Sequence, residues 1–453
     1  MSDSHIKLVR AINDDYSAKT GFKRRAFIKT YGCQMNAHDS AKLESMLSDM
    51  GYERSEDEKN ADLVIYNTCC VRERAEEKVF GKLGLLKAYK SNKPDMMIAL
   101  CGCMVQQNAI LDKTLKIHKH IDIIFGTFNI RRFPQLLFSR IETGGRVVDV
   151  WDEHDEIDEP VILNASFKAS VNIMYGCDNF CSYCIVPYVR GHERSRRADD
   201  ILDETRKLAA NGAKEISLLG QNVNSYRSGD TNFAALIRMI NDVDGVERIR
   251  FITSHPKDLS DELIEAMRDC KKVCRHIHLP AQSGSDKVLR DMRRGYTRER
   301  YLGLLAKLRA AMPDIDVTTD IIVGFPGETE RDFQDTLNLV EEARYSGAFT
   351  FIYSKRAGTP AANMPNQIDE KTAKDRFNRL LAAIYPIALE LNQRSLGRAL
   401  MVLAEGKGAN GLLTGRSEGN MTVHIDADER YIGSIIPVKI TACKTFYLVG
   451  EIA

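Results

Sequence analysis

The most specific chemical signal in this 453-residue sequence is a cysteine triplet, Cys177, Cys181 and Cys184, in the stretch GCDNFCSYC. The spacing C-x3-C-x2-C brings three thiols into one short segment, and such spacing is more informative than cysteine number alone. Structural zinc sites normally use four ligands, so a bare triplet suits zinc poorly. Three thiolates on a four-iron cluster would leave one iron with an open coordination position. The triplet therefore predicts a 4Fe-4S cluster whose fourth iron can bind a further group.

A second set of cysteines follows strand-like apolar runs nearer the N-terminus. Cys33, Cys69 and Cys103 come just after the runs at 26–31, 61–67 and 96–100. Because functional groups gather at the carboxyl ends of parallel strands, these three thiols could meet at a second inorganic centre. Cys70 and Cys101 stand beside them as alternative ligands. Packing of all five as small buried hydrophobic residues is the competing interpretation.

The elements that must position these cysteines define an α/β protein with three regions. Strand-like runs alternate with amphipathic helices over 24–150, which predicts an N-terminal doubly wound parallel-sheet domain. An acid-rich linker follows at 151–165. Residues 166–383 hold six strand candidates separated by helices, at 171–175, 215–219, 248–253, 276–280, 316–323 and 348–353. A closed barrel of this type needs eight strands, so we expect a partial (β/α)6 barrel with its chemistry at the carboxyl strand ends.

The last region, 384–453, passes from a helical bridge into short apolar segments separated by glycines. This pattern predicts a small, OB-like β-barrel of the kind that binds oligonucleotides. The net charge of +1 neither favours nor excludes a nucleic-acid partner. Four arginines at 190–197 form a local basic cluster, which we interpret as a phosphate contact.

Composition places the protein in a reducing compartment. Eleven cysteines, an odd number, do not indicate a disulfide framework, and the N-terminus carries no signal-peptide pattern. The apolar runs are too short to cross a bilayer. We therefore expect a cytoplasmic protein with no membrane association.

The motifs extend beyond the triplet. KTYGCQMN, YNTCCVRERAEEKVFGKL, CGCMVQQ, GCDNFCSYCIVPYVRGHERSR, LLGQNVNSY, TSHP, HLPAQSGSD and DIIVGFPGETE follow one another along the chain. Together they resemble the methylthiotransferase family of radical S-adenosylmethionine enzymes. The resemblance implies two 4Fe-4S clusters, one on Cys177, Cys181 and Cys184 as catalytic ligands and an auxiliary one on Cys33, Cys69 and Cys103. It also implies that S-adenosyl-L-methionine is a cofactor and that the C-terminal barrel is an RNA-binding TRAM domain.

The resemblance also implies an activity. QNVNSY and TSHP are most similar to members that methylthiolate C2 of N6-dimethylallyladenosine next to the tRNA anticodon. Other members act on an aspartate of a ribosomal protein or on threonylcarbamoyl-adenosine in tRNA, and both stay open as alternatives. A non-catalytic iron-sulfur protein that binds RNA is an alternative from another class.

Further site residues and partners follow from the same resemblance. Tyr183 corresponds to the aromatic neighbour of the cofactor adenine, although it could simply pack. The expected partners are the tRNA anticodon stem-loop, a reducing electron donor such as flavodoxin or ferredoxin, and a sulfur donor that the sequence does not identify. We expect a monomer. Four more cofactor contacts are expected at the strand ends of the barrel: Gln282, Ser283, Gly324 and Glu328.

Overall fold

A computed structural model describes residues 2–70, 73–151, 166–409 and 411–453. The acidic linker predicted at 151–165 lies, apart from Trp151, outside the described residues. The described chain forms two compact units. The first contains the residues up to Trp151 together with Tyr175–Asp178 and Ile185–Arg194, and the second contains the remainder through Ala453.

The first unit is built on a six-stranded sheet in which every pair of neighbouring strands is parallel. Its central strand Leu63–Thr68 is buried along its whole length, as expected for a parallel sheet covered on both faces. This confirms the predicted N-terminal fold. In spatial order the strands are Glu53–Arg54, Arg25–Thr30, Leu63–Thr68, Met97–Gly102, Ile123–Phe125 and Val147–Asp149.

Two separate apolar cores cover the faces of this sheet. Leu43 and Leu137 pack with Ile65 on one face, while Leu83 and Leu86 pack on the other. The sequence analysis did not predict the first helix, Ser2–Thr20, whose residues are mostly polar. The α-helices of this unit are Ser2–Thr20, Gln34–Asp49, Glu73–Asn92, Asn108–Ile117, Phe133–Thr143 and Val186–Arg190.

The second unit carries the six predicted barrel strands as two three-stranded parallel sheets. An isolated bridge between Ile249 and Val273 lies where one sheet gives way to the other. The first strand ends at Asn172, three residues before the predicted end at 175. The strands, in spatial order, are Arg248–Phe251, Glu215–Leu219 and Lys168–Asn172 in one sheet, and His276–His278, Asp316–Val323 and Gly347–Ile352 in the other.

Helices alternate with these strands and pack on them through one extended apolar core. The last of them, Glu370–Gln393, runs through the predicted domain boundary at 383 and 384. The helices of the barrel region are Ala198–Ala210, Phe233–Asn241, Asp261–Asp269, Asp286–Asp291, Arg298–Ala311, Glu330–Ala343 and Glu370–Gln393.

The chain ends in a closed five-stranded barrel, as predicted. The strand Leu413–Ser417 was missed by the sequence analysis because its inward positions include the small residues Gly415 and Ser417. A side chain at Gly415 would meet the backbone oxygen of Leu403 at 2.4 Å, so this strand pairs closely with its neighbour. The barrel strands are Ala399–Lys407, Leu413–Ser417, Thr422–Asp426, Ile435–Cys443 and Tyr447–Ile452.

Candidate active site

The three strand-end cysteines of the first unit follow strands that are direct neighbours in the sheet. Arg25–Thr30 pairs with Leu63–Thr68, which pairs in turn with Met97–Gly102. Cys69 and Cys103 come immediately after their strands. Cys33 comes three residues after its strand, at the N-cap of the helix Gln34–Asp49. The positive end of that helix dipole favours a thiolate at Cys33.

Two glycines let these strand ends approach one another. A Cβ on Gly32 would lie 2.3 Å from the Cβ of Cys69, and a Cβ on Gly102 would lie 2.3 Å from the backbone oxygen of Thr68. Both glycines have positive φ angles, +120° and +98°, that side-chain-bearing residues rarely adopt. The close approach of the cysteines therefore requires glycine at both positions.

The environments of Cys33 and Cys103 favour the thiolate form. A hydrogen bond with the Cys69 thiol, followed by the charge of Arg190, lowers the pKa of Cys33 to about 5. The pKa of Cys103 is also lowered, mainly by its contact with Cys70 and further by Arg190. Thiolates are the form in which cysteine binds iron.

The neighbouring cysteines differ in their surroundings. Cys69 lies against Cys33, whereas Cys70 packs with Cys103 and with Ile185 and Val189. Both adjacent cysteines therefore reach the strand-end cluster of thiols. Cys101 belongs to the apolar core of the sheet, and burial raises the pKa of its thiol well above the ordinary value. This placement is that of a packing residue.

The triplet Cys177, Cys181 and Cys184 lies in an irregular segment with no long helix or strand of its own. In the first unit, the backbone N–H of Cys177 donates to the oxygen of Gly191 at 3.1 Å. In the second unit, the N–H of Cys184 donates to the oxygen of Cys181 at 2.9 Å, which forms a turn. Ser182, between them, donates from its hydroxyl to the backbone oxygen of Asp291 at 2.7 Å. Backbone hydrogen bonds thus fix each part of the segment within its own unit.

A buried arginine contacts this triplet. Nη1 of Arg294 lies 3.4 Å from Sγ of Cys181 and 3.4 Å from the hydroxyl of Tyr183. Its Nη2 donates to the backbone oxygen of Pro280 at 3.1 Å, and its Nε donates to the hydroxyl of Tyr296 at 3.0 Å. Arg294 therefore offers a fixed positive charge to one predicted cluster ligand.

Side chains with unpaired buried polar atoms gather at the carboxyl ends of four barrel strands. Each has at least one buried polar atom that lacks a hydrogen-bond partner within the described ranges. Unpaired buried polar atoms are costly, so such a concentration indicates a place for a polar ligand. Sequence reasoning missed Asn172, which has both amide atoms unpaired and lies in a strand otherwise read as apolar. The residues are Asn172, Gln221, Asn222, Ser254, His255 and Gln282.

The predicted cofactor contacts differ in whether their polar atoms already have hydrogen-bond partners within the protein. Gln282 has an unpaired Oε1 and a φ of +67°, an unusual backbone state for this residue type. Ser283 is engaged by Thr336. The carboxylate of Glu328 accepts from Arg376 at 2.8 Å and from the N–H of Gly324 at 3.1 Å.

Glu328 therefore secures the turn at Gly324, although burial raises the pKa of its carboxyl to about 7. Gly324 itself has a φ of +72° and packs against Ala373. Among the predicted contacts, Gln282 keeps an unpaired buried atom and Tyr183 lies beside the guanidinium of Arg294.

The two histidines of this region are neutral or engaged in the structure. Burial, followed by the charge of Arg294, lowers the pKa of His255 to about 2. His255 is therefore an uncharged hydrogen-bonding group at neutral pH. His278 contacts the hydroxyl of Thr318 at 3.0 Å and lies 3.3 Å from the carboxylate of Asp320, so it has a structural role.

The predicted phosphate contacts at 190–197 are wrong for two of the four arginines, whereas Arg194 is half-buried and Arg197 is exposed, so for these two the contact stays a prediction. Arg190 and Arg196 are 6% and 2% exposed, and they pair with Asp39 and Glu204 at 2.9 and 2.7 Å. Buried and neutralised guanidinium groups cannot meet RNA phosphates. Local arginine density did not reveal the burial of Arg190 because its partner Asp39 lies 151 residues away in sequence.

The donor set fits iron-sulfur clusters. All of these cysteines are free thiols, and Cys33, Cys69, Cys70 and Cys103 meet at the strand ends, where Gly32 and Gly102 permit an approach that a Cβ would block. Within the described ranges, no group of three or more His, Cys, Asp or Glu residues has the compactness needed by a single metal ion. No described helix is long and apolar enough to span a membrane.

Family profiles match three segments of the chain. Residues 25–126 match the family described as uncharacterized protein family UPF0004, 171–340 match the radical SAM superfamily, and 393–453 match the TRAM domain. A solved structure of the radical S-adenosylmethionine methyltransferase TsrM from Kitasatospora setae shares the fold. It aligns with a TM-score of 0.57 at 15% identity, over 75% of this chain and 74% of that one. Fold and site together define a radical S-adenosylmethionine enzyme.

Relatives of high identity specify the family. The tRNA-2-methylthio-N(6)-dimethylallyladenosine synthase of Acetivibrio thermocellus is 53% identical over 99% of this chain and 95% of its own. The synthases of Alkaliphilus oremlandii and Clostridioides difficile are 53% and 51% identical, over 95% and 99% of this chain and 93% and 95% of their own. The chain belongs to the tRNA-2-methylthio-N(6)-dimethylallyladenosine synthase family.

Proposed function

We propose that this protein methylthiolates C2 of N6-dimethylallyladenosine next to the anticodon of tRNA. The observation that carries this proposal is the identity of about half of all residues, over nearly the whole chain, to synthases of that name. The strand-end thiols of the first unit and the Cys177 triplet provide the ligands that such chemistry requires.

In this proposal each cysteine triplet holds one 4Fe-4S cluster. Cys177, Cys181 and Cys184 hold the cluster that binds S-adenosyl-L-methionine, and Cys33, Cys69 and Cys103 hold the auxiliary cluster. The bound clusters and S-adenosyl-L-methionine supply one-electron cleavage of a carbon–sulfur bond and the sulfur and methyl groups that are transferred.

The protein side chains bind and orient. The unpaired atoms of Asn172, Asn222, Ser254 and Gln282 would donate hydrogen bonds to the cofactor and the base or accept hydrogen bonds from them. His255, being neutral, can do the same without adding charge. A single-stranded loop base can enter such a pocket at little cost in unstacking.

The proposed activity also implies binding partners. The closed C-terminal barrel and the barrel strand ends would receive the anticodon stem-loop of a tRNA. A reducing donor such as flavodoxin or ferredoxin would supply electrons, and we propose that a monomer in the cytoplasm acts on the tRNA.

The experiment that tests this function offers three substrates to the anaerobically reconstituted enzyme. They are tRNA carrying dimethylallyl-adenosine, tRNA carrying threonylcarbamoyl-adenosine, and a ribosomal-protein substrate with a modifiable aspartate. We expect a methylthio product by mass spectrometry from the first substrate alone, and none with the Cys177→Ala variant. Product from only one of the other two substrates would overturn the proposal and identify that substrate instead. Absence of S-adenosylmethionine cleavage by reduced, iron-replete protein would favour a non-catalytic RNA-binding protein.

A further inference from the structure

Arg190 is a buried cation at the strand-end cysteines of the first unit. It closes the short helix Val186–Arg190, and its side chain donates three hydrogen bonds. Nε donates to Sγ of Cys103 at 3.3 Å, while Nη2 donates to Oδ1 of Asn36 at 3.0 Å and to the Asp39 carboxylate at 2.9 Å. Arg190 and Asp39 are both nearly inaccessible to solvent. Water therefore screens neither charge effectively.

Asn36 extends this contact to the other strand ends. Its Oδ1 lies 3.5 Å from Sγ of Cys33 and 3.9 Å from Sγ of Cys103, and its Nδ2 donates to the backbone oxygen of Thr68 at 2.9 Å. Through Asn36, the guanidinium of Arg190 is tied to all three strands that carry the predicted ligands. Its position relative to Cys103 is therefore fixed.

We propose that Arg190 is a positioning residue that holds the Cys103 thiolate and raises the reduction potential of the auxiliary cluster. The inference rests on the proposed function, in which Cys33, Cys69 and Cys103 hold that cluster. Reduction adds one negative charge to a cluster, and hydrogen bonds and charges near its sulfur atoms set the potential. A fixed cation with an N–H···S contact stabilises the reduced form. Asp39 opposes this effect because its carboxylate lies in the same buried network.

Because Arg190 and Asp39 carry opposite charges, the proposal predicts the direction in which each variant shifts the reduction potential. Arg190→Gln removes the positive charge, and Asp39→Asn removes the negative charge while keeping nearly the same shape. If Arg190 and Asp39 act on the potential, these two changes shift it in opposite directions, Arg190→Gln downward and Asp39→Asn upward. A purely packing role would weaken the fold or iron retention in both variants without opposite shifts.

The experiment uses the full chain with Cys177, Cys181 and Cys184 changed to Ala, so that only the auxiliary cluster is loaded. After anaerobic reconstitution, iron content is measured and the cluster is titrated under electron paramagnetic resonance. About four irons per chain are expected in this parent protein. If the parent binds no iron, the two-cluster function fails at this first step. A potential unchanged by Arg190→Gln in an iron-replete parent would instead overturn the role of Arg190 alone.

The expected shift is about a tenfold fall in the ratio of reduced to oxidised cluster at fixed potential for Arg190→Gln, about 59 mV for a one-electron couple. Asp39→Asn should raise that ratio. If Arg190→Gln holds no iron, Arg190→Lys decides, because it keeps the charge. If Arg190→Lys binds iron and its cluster has a reduction potential close to that of the parent, the proposal is supported. Loss of iron in Arg190→Lys too, with an unchanged potential in Asp39→Asn, overturns it.

Arg196→Gln is the matched control. Arg196 is as deeply buried as Arg190 and also pairs with a carboxylate, Glu204, but its second contact is the backbone oxygen of Asn172 at 2.6 Å. This variant should lower thermal stability and leave the potential of the auxiliary cluster at the parental value. An equal shift in Arg196→Gln would show that loss of any buried arginine alters the potential, and would overturn the proposal.

Discussion

The guanidinium of Arg294 lies 3.4 Å from Sγ of Cys181, at the predicted cluster that binds S-adenosyl-L-methionine. Arg190 makes the same kind of contact with Cys103 in the first unit, at 3.3 Å. Each predicted cluster thus has one cysteine that receives a hydrogen bond from a buried arginine. Neither contact is visible in sequence spacing, since 113 and 87 residues separate the partners.

Changing Arg294 to Gln should slow reductive cleavage of S-adenosylmethionine by about tenfold to a hundredfold, since a hydrogen bond from a charged donor is worth roughly 1.5–3 kcal/mol. The physical reason is loss of the charge that stabilises the Cys181 thiolate and fixes Tyr183. The measurement is formation of 5′-deoxyadenosine under anaerobic reduction, with iron content checked in parallel. Arg290→Gln, an exposed position in the same segment, is the control and should keep the parental rate. Equal rates of 5′-deoxyadenosine formation in Arg294→Gln and Arg290→Gln would show that Arg294 does not contribute to the cleavage.

Gly32→Ala should abolish the auxiliary cluster while sparing the other one. The new methyl group would lie 2.3 Å from Cβ and 2.7 Å from Sγ of Cys69, at a φ of +120°. Iron per chain should therefore fall from about eight to about four after reconstitution.

The control for this glycine is Gly81→Ala, in the helix Glu73–Asn92, where an added Cβ meets no atom within 4 Å among the described residues. It should retain the parental iron content and gain up to about 1 kcal/mol of helix stability. Full iron occupancy in Gly32→Ala would show that the strand ends do not bind the second cluster.

Arg250→Met should loosen the packing of the C-terminal barrel on the rest of the second unit. The side chain of Arg250 donates to Glu215 at 2.8 Å and to the backbone oxygens of Ser417 and Glu418 at 2.6 and 3.0 Å. Removing one member of a buried ion pair costs about 3–5 kcal/mol. We expect faster tryptic cleavage near residues 394–398 and a lower melting temperature.

Two variants sharpen the Arg250 test. The double change Arg250→Met with Glu215→Gln should recover part of the lost stability, because the buried Glu215 carboxylate would otherwise keep only the longer contacts to Lys168 at 3.6 Å and Arg248 at 3.9 Å. Arg268→Met removes an exposed ion pair with Asp269 and should change neither measurement. Cleavage at the parental rate in Arg250→Met would mean that other contacts hold the barrel.

The parts of the site that follow simple chain rules could be predicted from the sequence. Cys33, Cys69 and Cys103 come together because the carboxyl ends of neighbouring parallel strands share an edge, and alternating apolar runs reveal those strands. The partners of Arg190 could not be predicted in this way. Asn36, Asp39 and Cys103 reach it only through tertiary packing, so arginine density suggested solvent-exposed phosphate contacts instead.

Elements were missed where sequence lacks periodic apolar residues. The strand Leu413–Ser417 places Gly415 and Ser417 inward, and the helix Ser2–Thr20 is largely polar, so neither gives a strong signal. Asn172 was missed as a site residue for the opposite reason. It lies in the predicted apolar strand 171–175, whose pattern predicts burial, and only the structure shows that its amide atoms are buried without partners among the described residues.

Asp316→Asn should change the pH dependence of stability. Burial raises the pKa of the Asp316 carboxyl from 3.8 to about 7, and the neighbouring Asp314 raises it further. The folded protein therefore holds a proton that the unfolded chain releases between pH 3.8 and 7, so stability falls as pH rises through this window. Asparagine cannot ionise and avoids this loss.

Relative to the parent, Asp316→Asn should gain about 1 kcal/mol between about pH 6 and pH 8, after allowance for partial solvent access. Melting temperatures of the reconstituted protein at the two pH values measure the difference. Asp314→Asn should reproduce only a small part of this change, because the charge of the exposed Asp314 is a lesser cause of the raised pKa of Asp316 than burial. A constant difference between Asp316→Asn and the parent at both pH values would show that Asp316 is already ionised in the folded protein.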